Sequence, residues 1–144
     1  MNIAELERRL EEEACSPSHY SLGTRDPGGA FCLVHENELW RMFYSERGLD
    51  DHPLFEGTSE SEACEFFFEY MTSRIRHDHL VGFFSSLENA EALTEKLKAN
   101  GIESYRNDVP YHGWHDPRYR VFVIGKDVFK ARELLGELPV RDDS

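Results

Sequence analysis

Two short histidine clusters hold the residues best able to do chemistry. His112-Gly113-Trp114-His115-Asp116 and His77-Asp78-His79 place imidazoles and carboxylates within a few positions of one another. These side-chain types ligate zinc and transfer protons near neutral pH. The spacing argues against a metal centre: an HxxH pair with a glycine inside it and Pro117 just beyond cannot lie along one helical face as HExxH does, and no Cys pair completes a ligand set. We expect no metal and no other cofactor. His112, Trp114, His115 and Tyr119 are read instead as an exposed partner contact, because Trp and Tyr are enriched at binding hot spots.

Other catalytic templates are missing as local motifs. There is no phosphate-binding GxxxxGK loop, no GxGxxG after a strand, no GxSxG elbow and no EF-hand loop. Acid pairs such as Asp50 and Asp51 carry no specificity in so acidic a chain. Cys15, Cys32 and Cys64 are odd in number and far apart, which fits neither a disulfide framework nor a CxxC zinc site, and acidic neighbours oppose thiolate formation. The expectation is a protein without catalysis.

Charge says more than motifs do. The 28 Asp and Glu against 16 Lys and Arg give −12 overall, and residues 1–79 alone carry 17 acids against 7 Arg and no Lys, a balance of −10. A phosphate backbone or an anionic membrane would be repelled, whereas a basic protein would be steered toward such a surface. The candidate contacts are Glu46, Asp50, Asp51, Glu56, Glu60, Glu62, Glu65 and Glu69, all between the end of one expected strand and the body of the next expected helix. With 40% hydrophobic residues the 144-residue chain can bury a core without disulfides. No signal peptide or membrane span is legible, so a cytoplasmic location is expected.

The elements that would position these residues follow from periodicity and capping. Asn2 with Glu5 three residues on starts a helix that ends near Cys15, before Ser16-Pro17. Strands are expected at 19–22, 30–35 and 39–46, the last alternating Trp40, Met42 and Tyr44 with Arg41, Phe43 and Ser45. An irregular acidic loop at 47–57 leads to a helix capped by Ser59, whose Ala63, Phe66, Phe67, Tyr70, Met71 and Ile75 form one stripe. The second half reads as strand 80–84, a helix capped by Ser86 and stopped at Asn100-Gly101, strand 102–106, a turn-rich connection at 109–117, strand 119–124 and helix 127–138, with residues 141–144 frayed. The fold class is therefore α+β: helix, antiparallel strands and helix in residues 1–79, then a ferredoxin-like strand-helix-strand-strand-helix half in residues 80–144, the two expected to pack as one unit.

Four segments carry a family resemblance. Tyr20-Ser21-Leu22-Gly23, Ala30-Phe31-Cys32-Leu33, Trp40-Arg41-Met42-Phe43-Tyr44-Ser45-Glu46-Arg47-Gly48 and Ser59-Glu60-Ser61-Glu62-Ala63-Cys64-Glu65-Phe66-Phe67 resemble bacterial immunity proteins of polymorphic and contact-dependent growth inhibition toxin systems, over about residues 5–75. The resemblance implies a small cytoplasmic protein that binds and neutralises a cognate toxin domain, in many cases a basic nuclease. The alternative is an acidic secretion chaperone that masks an effector. Residues 80–138, with Ala90, Leu93, Leu97, Gly101 and Tyr119-Arg120-Val121-Phe122-Val123, are similar to small ferredoxin-like modules, the peptidoglycan-binding SPOR type among them. We read that half as added scaffold or specificity surface, with the oligomeric state undetermined.

Overall fold

Local capping starts three of the four helices as the sequence implies. The Asn2 side chain accepts from the Glu5 amide at 2.9 Å and opens α1 (Ile3–Glu12), on which Leu6 and Leu10 are fully buried. Ser59 accepts from the Glu62 amide at 3.1 Å and opens α2 (Glu60–Ser73). Ser86 does the same for α3 (Leu87–Ala99) through Asn89. The fourth helix, α4 (Asp127–Leu135), stops short of the expected 138 because Gly136 takes a positive φ of 82°. The computed structural model describes residues 1–142 and resolves them into two compact units, Met1–Arg76 and a second that begins at His77.

In the first unit a 3₁₀ turn at Pro17–His19 precedes β1 (Tyr20–Leu22), and β2 (Ala30–Glu36) and β3 (Leu39–Glu46) form a hairpin. Only Asn37 and Glu38 connect the two strands, with φ of 53° and 66°, the left-handed pair that matches a hairpin's twist. The segment expected as an irregular loop contains β4 (Leu49–Asp50) and β5 (Phe55–Gly57). Arg47 and Gly48, both at positive φ, turn the chain back so that Asp50 pairs with Ser45, and Phe55 then pairs with Met42. The sheet is mixed, because β1 runs parallel to β2 while the other pairs are antiparallel. One sheet face gives Leu33 and Met42 to a core shared with Leu6, Leu10, Ala63, Phe67 and Met71 of the helices. The other face buries Ala30, Cys32, Val34 and Phe43. Arg25 crosses that second face, with its guanidinium 4.9 Å from the Phe43 ring centre and hydrogen bonds of 2.7 to 3.2 Å to Glu36 and Asp50.

The second unit is built on the sheet order β7-β8-β6-β9, where β6 is Asp78–Phe84, β7 Tyr105–Val109, β8 Arg118–Ile124 and β9 Val140–Arg141. Strand β7 begins three residues later than the sequence implies. Gly101 at φ 75° ends α3, the Ile102 amide bonds back to the Leu97 carbonyl, and Ile102 packs inside as the plug of the helix end rather than pairing in a sheet. Val81, Phe84, Val121 and Val123 are buried on the face shared with Ala90, Leu93 and Leu97 of α3 and Val128 and Ala131 of α4. A Cβ on Gly82 would lie 2.6 Å from Leu93 Cδ2, so the bare glycine is what lets α3 approach β6.

Arg141 and Asp142, expected to fray, are tied down, while Asp143 and Ser144 of that expected tail lie outside the described residues. Strand β9 pairs parallel with β6, and the Asp142 carboxylate accepts from the Ser85 amide (2.8 Å) and hydroxyl (3.0 Å), the Ser86 amide (3.0 Å) and Asn89 Nδ2 (2.9 Å) at the α3 N-terminus. Burial pushes the Asp142 carboxyl up, but these four donors outweigh it and hold the group at about 2, below its ordinary 3.8. A depressed carboxyl pKa stabilises the fold above the unfolded value and loses that contribution as pH falls through the folded one. The tail is therefore expected to release between roughly pH 4 and pH 2. Amide exchange at Ser85 and Ser86 should accelerate across that window and be fast at all pH values in Asp142→Ala.

The fold is α+β, with four α-helices and two mixed sheets among the described residues, none of those helices long and apolar enough to cross a membrane.

Candidate functional site

Alternation along β8 assigns its side chains to two different tasks. Val121 and Val123 enter the core beneath α3 and α4, which sends Arg118, Arg120 and Phe122 to the opposite face of the sheet. Register brings Tyr105 of β7 opposite Phe122, and Phe83 of β6 opposite Arg120. Tyr105 and Phe122 stack, with ring centres 5.3 Å apart and planes 15° from parallel. Phe83 meets Tyr111, from the β7–β8 connection, edge to face at 5.9 Å. Guanidinium groups interleave with these rings: Arg120 lies 5.2 Å from the Phe122 centre, Arg141 of β9 lies 4.8 Å from Phe83, and Arg118 lies 4.5 Å from Tyr111. Arg120 is further held by the Asn107 carbonyl (3.2 Å) and side-chain oxygen (2.8 Å).

This face is a half-exposed platform of four rings edged by cations, in a chain of net charge −12. Flat rings offer apolar stacking to the C–H faces of a sugar. Guanidinium forks offer paired donors to carboxylates and amide oxygens. The arrangement is suited to holding a saccharide that carries acidic groups.

The histidine cluster borders the same face. His112 and Asp116 are joined at 2.6 Å, Asp116 takes a second bond from Arg118 at 2.7 Å, and Trp114 is 68% exposed at the apex. His115 folds its ring back over Gly113. Tyr119 stands apart from these residues, because register pairs it with Phe84 toward the helix-covered face, where the Arg106 guanidinium lies 5.8 Å from its ring. In the other histidine pair His77 is buried and its carbonyl accepts from the Gly125 amide, while His79 pairs with Val123 inside β6. Among the described residues no three His, Cys, Asp or Glu come together as a metal site.

The acidic residues singled out in the first unit do not form one surface. Asp50 and Glu56 lie on the sheet face away from the helices, bound to Arg25 and Ser45 in one case and to Arg41 at 3.4 Å in the other. The Arg25 and Ser45 bonds hold the Asp50 carboxyl below the usual carboxylate range, and the Arg25 bond does the same for Glu36. Glu60 accepts from the Ile3 amide at 3.2 Å and so fastens α2 to α1, and Glu65 sits 3.7 Å from Arg9. Glu62 and Glu69 are exposed on α2, and Glu46 and Asp51 are exposed near the β3–β4 turn. The three cysteines are buried, and burial pushes the thiols of Cys15 and Cys64 up to about 11.

Sequence reasoning gives no binding role to Tyr105, Tyr111, Phe83 or Arg141, and takes Arg120 and Phe122 only as part of a ferredoxin-like strand pattern. The signal is present in Arg118-Tyr119-Arg120-Val121-Phe122-Val123, where Tyr119, Val121 and Val123 alternate with Arg118, Arg120 and Phe122. Placing Phe83 and Arg141 on the same face required the register of two further strands.

Residues 80–143 match the SPOR domain family. No curated protein and no solved structure matches the chain. SPOR domains are peptidoglycan-binding modules of cell division, found in periplasmic or envelope-associated proteins. The match corrects four expectations. The chain is not placed in an immunity family, a toxin domain is not its partner, neither toxin neutralisation nor effector masking is its function, and a cytoplasmic location is at odds with the envelope proteins in which SPOR domains occur. The segments that prompted the immunity resemblance are a tight hairpin, a left-handed Arg47-Gly48 turn and a serine-capped helix, local devices that an α+β unit needs whatever it binds.

Proposed function

We propose that the second unit is a peptidoglycan-binding module that holds the saccharide on the face of its sheet opposite α3 and α4, without catalysis, and that the protein acts at the cell envelope. The observation that carries this reading is the ring platform of Tyr105, Phe122, Phe83 and Tyr111 edged by Arg120 and Arg141. Peptidoglycan is a chain of N-acetylated sugar rings bearing carboxylates and amides. Rings stack on its sugars, and guanidinium groups meet its anionic and amide oxygens. Nucleic acid would also stack on aromatic rings, but a polyphosphate is repelled by a chain with 28 acids against 16 bases.

We read the chain as two modules, an acidic α+β part to residue 79 and a ligand-binding part from residue 80. The carboxylates of Glu46, Asp51, Glu62, Glu65 and Glu69 keep the first module off an anionic polymer, which leaves capture to the second. The experiment is co-sedimentation of the intact protein with purified peptidoglycan sacculi. The protein should pellet in proportion to the sacculi added, less so as salt is raised. A protein that stays in the supernatant at low salt sinks the proposal.

A further inference from the structure

The connection over residues 110–117 is more ordered than a surface loop needs to be. Gly113, at φ 96°, donates its amide to the Pro110 carbonyl at 3.2 Å, the Asp116 amide returns to the Gly113 carbonyl at 3.0 Å, and the His112 amide bonds the Asp116 carbonyl at 3.3 Å. Over this backbone knot runs a side-chain series. His112 Nδ1 lies 2.6 Å from Asp116 Oδ2, Asp116 Oδ1 accepts from Arg118 Nη1 at 2.7 Å, and the Arg118 guanidinium lies 4.5 Å from the centre of the Tyr111 ring. The series ends where Tyr111 stands edge to face against Phe83. Arg118 is unlike its neighbours on β8: its side chain is only 12% exposed, so its charge is spent on Asp116 and Tyr111 rather than offered to a ligand.

We infer that this loop is a preformed wall of the saccharide face, and that Asp116 and His112 are positioning residues that fix the Tyr111 ring through Arg118. The inference rests on the peptidoglycan reading and adds residues to it. A tyrosine 54% exposed would otherwise sample several rotamers, and freezing it before the ligand arrives removes that entropy cost from binding. The hydrogen bond from His112, and after it the one from Arg118, holds the Asp116 carboxyl below the ordinary range, in keeping with a carboxylate that serves two donors. Trp114, at the apex of the same knot, supplies a further exposed ring on this wall.

The test is sacculus co-sedimentation of the full chain as wild type, Asp116→Asn, Tyr111→Leu and the double variant, each first shown to keep the wild-type urea midpoint. Asp116→Asn and Tyr111→Leu should each weaken retention about 5- to 10-fold, and the double variant should be no weaker than the worse single, because both remove the same placed ring. His112→Gln, which can still donate to Asp116, should bind like wild type, whereas His112→Leu should follow Asp116→Asn. Losses that multiply in the double variant, or an Asp116→Asn protein that binds like wild type, overturn the positioning role while leaving the peptidoglycan reading intact. A wild-type protein that fails to sediment overturns that reading and this inference with it.

Discussion

Arg120→Glu should strip the protein from sacculi, lowering retention by at least about tenfold while leaving the fold in place. Arg120 lies between Phe122 on its own strand and Asn107 on the neighbouring one, on the face opposite α3 and α4 and away from the valines that build the core. Reversal there puts a carboxylate where the ligand's own carboxylates would approach, so attraction is replaced by repulsion rather than merely removed. Arg120→Lys separates geometry from charge. It keeps the positive charge but loses the planar fork, and an intermediate affinity is expected. The measurement is the sacculus concentration for half retention, alongside a urea melt of each variant. Retention of Arg120→Glu equal to wild type would move the binding site off this face.

Phe67→Ala should be the most damaging single truncation in the first unit. Phe67 is fully buried at the centre of the cluster formed by Leu6, Leu10, Leu33, Met42, Ala63 and Met71, and its ring meets Tyr20 edge on at 6.4 Å. Deleting a buried phenylalanine side chain removes its transfer free energy and leaves a cavity, a cost of about 3–5 kcal/mol. Small domains hold only about 5–15 kcal/mol in all, so a large early shift in the urea melt is expected. The same variant bears on where the ligand is held. If capture belongs to the second unit, sacculus retention at urea concentrations below the onset of melting should stay within about twofold of wild type, because Phe67 belongs to the core of the first unit. Loss of binding in step with loss of the first unit's structure would place ligand contacts in residues 1–76.

Much of the fold was legible because it is set locally. Ser59 and Ser86 announce their helices by offering a hydroxyl to amides that the helix itself leaves unpaired, and Gly101 ends α3 because glycine takes its backbone angles cheaply, whereas the stop at Gly136 fell inside the helix expected to run to 138. Elements that depend on pairing were harder to see. Strands β4 and β5 are two and three residues long, too short to show a period, and exist because Ser45 and Met42 offer partners across a turn. Ile102 carries a strand former's side chain yet plugs a helix end, because the burial available at α3 outweighs its intrinsic preference.

The charge asymmetry is also plain in the sequence, but it does not say which of the carboxylates are open to a partner. In the folded protein Asp50 and Glu56 are taken up by Arg25, Ser45 and Arg41 on one sheet face, while Glu62 and Glu69 ride on a helix over the other. A count of carboxylates cannot tell a docking surface from a set of intramolecular partners. By itself the sequence determined the helices, the main strands, the core stripes and the alternation that separates Val121 and Val123 from Arg120 and Phe122. Only the tertiary structure decided that Tyr105, Phe83, Tyr111 and Arg141 join them, because a sheet face gathers residues from strands far apart in the chain through backbone pairing that no local pattern records.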